Sequence, residues 1–201
     1  MPLVRRDPPN SPSPRPTIRA GDLHAPEPER RLAAVDALGE TPDAAEYLGL
    51  ALGAEGVPRV REAILAKLVS LADAGAAAAL APHLRSDDAG LRNSCVEALQ
   101  AMPAAVLPIL PALLRDADPD VRLLAAEIAR TQASETASAL LAAVLETEPH
   151  PNVCAAVIEV LAECGTAGAV PALRAARARF ADAPFLPGAI DIVLARLETG
   201  S

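Results

Sequence analysis

The histidines and cysteines, residue types that often bind metals or take part in catalysis, number three each, namely His24, His83, His150, Cys95, Cys154 and Cys164. No histidine belongs to an HExxH motif, and no two cysteines have the CxxC spacing of zinc ligands or redox pairs. An odd number of cysteines also does not suit a disulfide framework. We therefore predict no metal, no cofactor and a reducing, cytoplasmic location.

Two further catalytic patterns are missing from the sequence. There is no glycine-rich loop that could hold a phosphate at a helix N-terminus. No order of serine, histidine and acidic residue stands out as a catalytic triad. We therefore predict that the protein is not an enzyme.

Charge and composition argue against two classes of partner. The formal net charge is −8, whereas proteins that bind nucleic-acid backbones need a basic stripe. One Tyr, two Phe and no Trp leave few rings on which bases could stack. No apolar run reaches the ~18 residues of a membrane span. We predict that neither nucleic acid nor a membrane is the partner.

The arginines recur at regular intervals. A residue that is usually apolar is followed by Arg in four copies and by Cys in a fifth. The pairs are Arg30-Arg31, Val60-Arg61, Leu91-Arg92, Val121-Arg122 and Val153-Cys154, and their second members are 30, 31, 30 and 32 residues apart. A fixed period of about thirty residues is typical of stacked repeats, in which each unit buries its apolar face against its neighbours.

Two kinds of helix must alternate to position these arginines. The motif helices, which carry the Arg pair, are predicted at about 27–39, 58–72, 88–101, 118–131 and 150–163, with a terminal helix of the same apolar pattern at 184–197. The Leu-rich helices are predicted at about 42–53, 75–85, 103–115, 134–146 and 166–179. Such short helices are marginal alone, so stacking must bury a continuous core.

Prolines and glycines mark the expected helix ends. Helices are predicted to start near Pro42, Pro58, Pro103, Pro119 and Pro184, because proline is tolerated in the first turn. Gly75 and Gly165 are expected to end helices in the left-handed conformation.

The first 21 residues differ from the rest of the chain. Residues 1–21 hold six of the twenty prolines and four arginines, a composition that cannot bury a core and predicts disorder or polyproline-like structure. Residues 22–201 are predicted to form one repeat domain, whose ends are expected to be closed by Leu23, Phe180, Phe185 and Leu186.

The segment PALLRDADPDVR, from Pro111 to Arg122, resembles the HEAT repeat, and in particular the bacterial HEAT-like type first named from phycobilin lyases. The resemblance extends over roughly residues 26–197. It implies an all-α fold, an α-solenoid of about five HEAT-like helix pairs plus a terminal helix.

The resemblance also implies a ladder between repeats, made by an Asp of the turn and the Arg of the motif. The ladder residues would be Arg31, Arg61, Arg92, Asp116 and Arg122, with Glu55, Ser86 and Glu148 at the place equivalent to Asp116. Cys154 and Leu186 replace the Arg, so the ladder is expected to end before the last two motif helices.

A helical wheel predicts which residues of the motif helices face away from the core. Seven of them, here called the acidic strip, are predicted to bind a partner, namely Asp36, Glu62, Asn93, Glu97, Leu123, Glu127 and Glu159. An aliphatic flank is expected beside them, at Val35, Leu65, Val96, Ala126 and Ile158. The resemblance implies that the strip lies on the concave side, where it would bind a basic or amphipathic helix or peptide. Alternatively, the acids only keep the protein soluble.

We therefore predict a non-catalytic protein-binding scaffold or adaptor in a bacterial cytoplasm. Two alternatives remain open: a bilin-lyase-type subunit that acts with a partner on a tetrapyrrole, and a structural module that caps a larger complex. A further hypothesis is that the basic tail of residues 1–21 folds onto the acidic strip.

Overall fold

The computed structural model describes residues 20–38, 41 and 43–199. Most of the predicted tail, and Pro42, lie outside these residues. The last two residues of the predicted tail, Ala20 and Gly21, begin a short 3-10 helix, Ala20–His24.

All regular structure in the described part of the chain is helical. The motif helices are α1 (Pro28–Leu38), α3 (Pro58–Leu71), α5 (Ala89–Gln100), α8 (Pro119–Ala129), α10 (Pro151–Cys164) and α12 (Leu186–Thr199). The Leu-rich helices are α2 (Ala44–Ala54), α4 (Ala74–Leu80), α6 (Pro103–Val106), α7 (Leu110–Leu113), α9 (Ser134–Thr147) and α11 (Val170–Arg179). Two 3-10 helices, Ala81–Arg85 and Ala167–Ala169, extend α4 and precede α11.

The helices form two layers. Each motif helix packs on the next motif helix, from α1 through α12, and in the other layer α2 packs on α4, α4 on α6, and α9 on α11. The core lies between the layers, where the leucine repeated in each Leu-rich segment is fully buried, namely Leu48, Leu80, Leu110, Leu141 and Leu173. The prediction of an all-α solenoid is confirmed.

Local sequence explains where the helices begin. Proline occupies the first turn of the helices that begin at Pro58, Pro103 and Pro119, as predicted. The side chains of Asp88 and Asp118 cap α5 and α8 by accepting hydrogen bonds from backbone N–H groups at 3.1 and 2.9 Å. Such caps each stabilise a helix by about 1 kcal/mol.

Two expectations about helix ends are wrong. Gly75 lies in the first turn of α4 and Gly165 has a φ of −63°, so neither is a left-handed stop. Among the described residues other than glycine, Ala72 has a positive φ, of 48°. Ala72 takes this strained conformation because only it and Asp73 connect α3 to α4, which leaves little chain for the reversal.

Of the four residues expected to close the ends of the array, three are buried or half-buried, namely Leu23, Phe180 and Leu186. The expectation is wrong for Phe185, which is 85% exposed. Its register position faces solvent in other motif helices too, as at Arg59 and Asp120.

The helix predicted at 103–115 is two short helices, α6 and α7. Pro108 and Pro111 have no backbone N–H to donate, so the α-helical ladder cannot run through this segment. A groove with a volume of about 510 Å³ lies between α7 and α9, lined by Leu114, Leu140 and Val144 among others.

Candidate functional site

Two arginines of the motif helices form largely buried, bidentate ion pairs with a glutamate of the turn that follows. Arg31 donates from Nε and Nη2 to the two carboxylate oxygens of Glu55, at 2.7 and 3.0 Å. Arg122 donates in the same way to Glu148, at 2.8 and 2.9 Å. This planar geometry is the strong form of the Arg–carboxylate pair, and it ties each motif helix to the next repeat.

Each ladder arginine also binds the turn that precedes it. Arg122 donates from Nη1 to the carbonyl of Asp116 at 2.8 Å, six residues back. The matching bonds run from Arg31 to Ala25, from Arg61 to Glu55 and from Arg92 to Ser86, at 2.8, 2.9 and 2.5 Å. In Arg31, Arg61 and Arg122, one side chain therefore ties together the two turns on either side of its helix.

The residues equivalent to Asp116 shape these turns. The side-chain oxygens of Glu55, Ser86, Asp116 and Glu148 each accept a hydrogen bond from the backbone N–H two residues later, at 2.7, 3.2, 2.9 and 2.9 Å respectively. The same turn is thus repeated four times, and in three of them a carboxylate holds it.

The structure places Asp116 in a different pairing from the one that the resemblance implies. Arg122 contacts the backbone carbonyl of Asp116, and its charge pairs with Glu148 instead. The Asp116 carboxylate binds Arg85, a residue of the Leu-rich layer. In the two complete pairs, Arg31 with Glu55 and Arg122 with Glu148, the ladder therefore connects the Arg to the carboxylate of the following turn, 24 and 26 residues later.

The ladder is incomplete at the turn that contains Ser86. Arg61 donates from Nη1 to Asp88 at 2.8 Å, but its Nε is buried and has no hydrogen-bond partner in the described structure. Glu55 and Glu148 accept the Nε bond in the complete rungs, whereas serine at the equivalent position has no carboxylate to do so.

Two arginines that the sequence analysis missed continue the ladder at its C-terminal end. Where Cys154 replaces Arg, its Sγ donates to the Glu148 carbonyl at 3.6 Å, and Arg179 donates to the same carbonyl at 3.1 Å. Arg196 donates to the carbonyls of Leu161 and Gly165, at 2.7 and 3.0 Å. Both arginines lie at the ends of later helices, outside the repeated Arg position, so the motif gave no signal for them.

The ladder carboxylates stay ionised because their arginines outweigh burial. Burial would raise the pKa of Glu148, but hydrogen bonds from Arg122 and the His150 amide hold the pKa below its ordinary value. The pKa of Glu55 is lowered for the same reasons, against burial, by Arg31 and the Val57 amide. The glutamates are therefore structural groups rather than proton donors.

The acidic strip follows successive motif helices, as the wheel predicts. Asp36, Glu62, Asn93, Glu97 and Glu159 are exposed, and Leu123 and Glu127 are half-buried. The strip thus combines one half-buried leucine with carboxylates and one amide.

Basic groups lie beside both ends of the strip. Lys67 donates to the Asp36 carbonyl at 3.5 Å, and Arg130 lies 3.9 Å from Glu159 while it also pairs with Glu163. No ion pair within the described part of the chain involves Glu62 or Glu97. The two carboxylates at the centre of the strip are therefore not neutralised by an ion pair with another described residue.

The expected aliphatic flank is wrong at four of its five positions. Val35, Val96, Ala126 and Ile158 are buried, with exposed fractions of 1%, 6%, 0% and 2%. They are buried because adjacent motif helices pack on each other at this register position. Leu65 is half-buried and remains accessible beside the strip.

Neither metal binding nor membrane insertion finds support in the described residues. No group of three or more His, Cys, Asp or Glu side chains there could hold a metal ion. No helix in the same residues has the length and apolarity needed to cross a bilayer. Cys95 is buried and unpaired, and burial raises its pKa to about 12, which makes it a poor nucleophile.

Comparison with known proteins addresses the repeat type. Residues 106–183 match the family model of HEAT repeats. The match runs from the end of α6 past α11, and includes the complete rung of Arg122 and Glu148. It supports the resemblance to HEAT repeats over that part of the chain.

A crystal structure of an engineered protein aligns with 90% of this chain and 96% of its own, at 18% identity and a TM-score of 0.45. No curated protein matches the sequence.

Proposed function

We propose that this protein is a non-catalytic scaffold or adaptor that binds another protein through the acidic strip. The observation that carries the proposal is the recurrence of an acid at one register position on four of the mutually packed motif helices, exposed at Asp36, Glu97 and Glu159 and half-buried at Glu127. A basic or amphipathic helix laid across those helices would meet carboxylates on more than one repeat.

The centre of the strip is the favoured docking position. Glu62, Asn93 and Glu97 are exposed there, on the adjacent helices α3 and α5. Exposed ion pairs contribute only about 0.2–1 kcal/mol each, so the carboxylates would set register and association rate. The half-buried Leu65 and Leu123 would supply apolar contact energy at the same place.

Affinity capture from the native lysate, read by mass spectrometry, tests the proposal. We expect a partner to bind the wild type and to be lost from a Glu97→Lys, Glu127→Lys, Glu159→Lys variant. A matched control carries Glu46→Lys, Glu135→Lys and Glu146→Lys, which reverse three exposed acids of the Leu-rich layer. Unchanged helicity of both variants would show that they remain folded.

The outcomes separate the strip from general charge. The proposal requires that the control variant keeps the partner, and that the affinity of the purified partner falls as salt is added, because exposed charges are screened. If both variants keep the partner, or both lose it, the strip is not the binding site and the acids serve solubility.

The groove between α7 and α9 favours a second candidate, the bilin-lyase-type subunit. Its volume of about 510 Å³ lies in the usual range of ligand pockets, and the exposed Arg115 on its edge could pair with a tetrapyrrole carboxylate. An absorption spectrum of the protein after addition of a bilin tests this candidate. An unchanged bilin spectrum would count against it.

A further inference from the structure

The Leu-rich layer opens between α7 and α9. Elsewhere in this layer α2 packs on α4, and α9 packs on α11. No such packing joins α7 to α9 in the described structure, because the break at Pro108 and Pro111 leaves α7 with only four residues. The groove of about 510 Å³ is the space that this break leaves.

The groove is lined mainly by apolar side chains. Leu114 and Val144 are buried there, and Pro111 and Leu140 are half-buried. The lining follows α9 from Ala139 to Thr147, a length of about 12 Å at 1.5 Å per residue. An extended apolar chain of that length could therefore lie along α9 and lose its contact with water.

The charged groups of the groove are paired within the chain, with one exception. Arg122 and Glu148 neutralise each other, and Asp116 binds Arg85. Arg115 is exposed and makes no ion pair within the described residues, and its guanidinium donates at 3.3 Å to a carbonyl four residues back. The unpaired charge of the groove is therefore positive, in a chain whose net charge is −8.

The preceding repeat shows what an arginine at this position binds. Arg85 stands 30 residues before Arg115, and its guanidinium binds the carboxylate of Asp116 in the next turn. The equivalent carboxylate for Arg115 is that of Glu148, but both Glu148 oxygens already accept from Arg122, and one also accepts from a backbone amide. Arg115 therefore lacks the carboxylate that its counterpart has.

We propose that the groove between α7 and α9 binds a small carboxylic acid with an apolar chain, of the fatty-acid class. The ligand carboxylate would pair with Arg115, in the place that Asp116 takes beside Arg85. The chain would lie along α9 against Leu140 and Val144, and its burial would supply most of the affinity.

This site is independent of the acidic strip, which lies on the motif helices of the other layer. It is the groove of the bilin candidate, but the proposal does not rest on that candidate. A single unpaired cation suits a ligand with a single carboxylate.

Equilibrium dialysis of the full chain against decanoate tests the proposal. We expect one decanoate per chain, and affinity about tenfold lower in Arg115→Gln, because a charge-assisted hydrogen bond is lost. Decan-1-ol, which has the chain without the charge, should also bind about tenfold more weakly than decanoate. The matched control is Arg174→Gln, which removes an exposed arginine of α11 outside the groove and should bind like the wild type.

A second variant tests the position of the chain. Ala143 is exposed and lines the groove, so Ala143→Leu should fill the groove and abolish decanoate binding without a loss of helicity. The same variant should still capture the partner of the acidic strip, so that failure of one proposal is separate from failure of the other.

Four results would overturn the proposal. The first is no binding of decanoate to the wild type, whether or not a bilin binds. The second is binding of many decanoates per chain, as expected of a detergent. The third is equal affinity in Arg115→Gln and Arg174→Gln, or for decanoate and decan-1-ol. The fourth is undiminished binding in Ala143→Leu.

Discussion

The guanidinium group of Arg122 bonds to the turn before its helix and to the turn after it. Arg122 uses Nε and Nη2 for the Glu148 carboxylate and Nη1 for the Asp116 carbonyl, so most of its donors are satisfied. Glu148 is 5% exposed, and a carboxylate so deeply buried needs such a partner. Lysine could not replace Arg122, because an ammonium lacks the planar fork that reaches both turns.

Breaking this pair should destabilise the fold and change its response to pH. In Glu148→Gln, Arg122 loses its countercharge, and we expect the free energy of unfolding to fall by roughly 3 kcal/mol in urea denaturation. The folded-state pKa of Glu148 is below its ordinary value of 4.5. Its stabilising effect is therefore complete above pH 4.5 and is lost as pH falls through the folded-state value.

The variant should accordingly lose part of the acid sensitivity of the wild type. The control is Glu163→Gln, which removes an exposed partner of Arg130 and should change stability little. Equal losses of stability in the two variants, or an unchanged pH profile in Glu148→Gln, would contradict the role given to the buried pair.

The carboxylate that is missing at Ser86 can be supplied by mutation, which tests the role of the ladder. In Ser86→Glu, a carboxylate would stand at the position of Glu55 and Glu148, within the same turn, and could accept from the unpartnered Nε of Arg61. We expect the free energy of unfolding to rise by about 1 kcal/mol, which would appear as a higher midpoint of thermal unfolding.

Ser86→Gln is the matched comparison, because it has the same length without the charge. A gain in Ser86→Glu that exceeds the gain in Ser86→Gln is the expected result. No gain in either variant would mean that Asp88 already satisfies Arg61 as well as a glutamate could.

At the scale of the elements, the sequence predicts the motif helices better than the Leu-rich ones. The Arg register and the initial prolines place α3, α5, α8 and α10 within one or two residues of their observed ends. In the Leu-rich layer, leucine periodicity continues through Pro108 and Pro111, so the pattern conceals the break between α6 and α7. Arg179 and Arg196 are missed because tertiary packing alone brings them to the ladder.

Close approach of two Leu-rich helices depends on one glycine. A Cβ added at Gly49 would lie 2.8 Å from the Ala79 Cβ and 3.0 Å from the Ala79 carbonyl oxygen, so α2 and α4 would have to separate. We expect Gly49→Ala to reduce stability by about 1–3 kcal/mol in urea denaturation, despite the better helix propensity of alanine.

The control for this prediction is Gly188→Ala, in a helix where the added Cβ meets no atom within 4 Å. Gly188→Ala should stabilise the protein by about 0.5–1 kcal/mol. Stabilisation by both substitutions would show that α2 and α4 tolerate a wider separation.

At the scale of the whole molecule, the residues that hold the repeats together are distinct from those that we propose to bind a partner. The ladder and the repeated leucines hold neighbouring repeats together, while the exposed face of the motif helices varies from copy to copy. That face carries Glu62 on α3, Glu97 on α5 and Glu159 on α10. Stacked repeats allow such variation because each unit contacts only its neighbours, so surface changes in one copy leave the others intact.

Photo-crosslinking in living cells is the most direct test of whether the acidic strip binds another protein. A photoreactive amino acid would replace Asn93, at the centre of the acidic strip, and in a parallel variant would replace Glu135, an exposed residue of the Leu-rich layer. We expect a covalent adduct with another protein from position 93 and none with that protein from position 135. An adduct from position 135 alone would contradict this expectation and place the binding surface on the opposite layer.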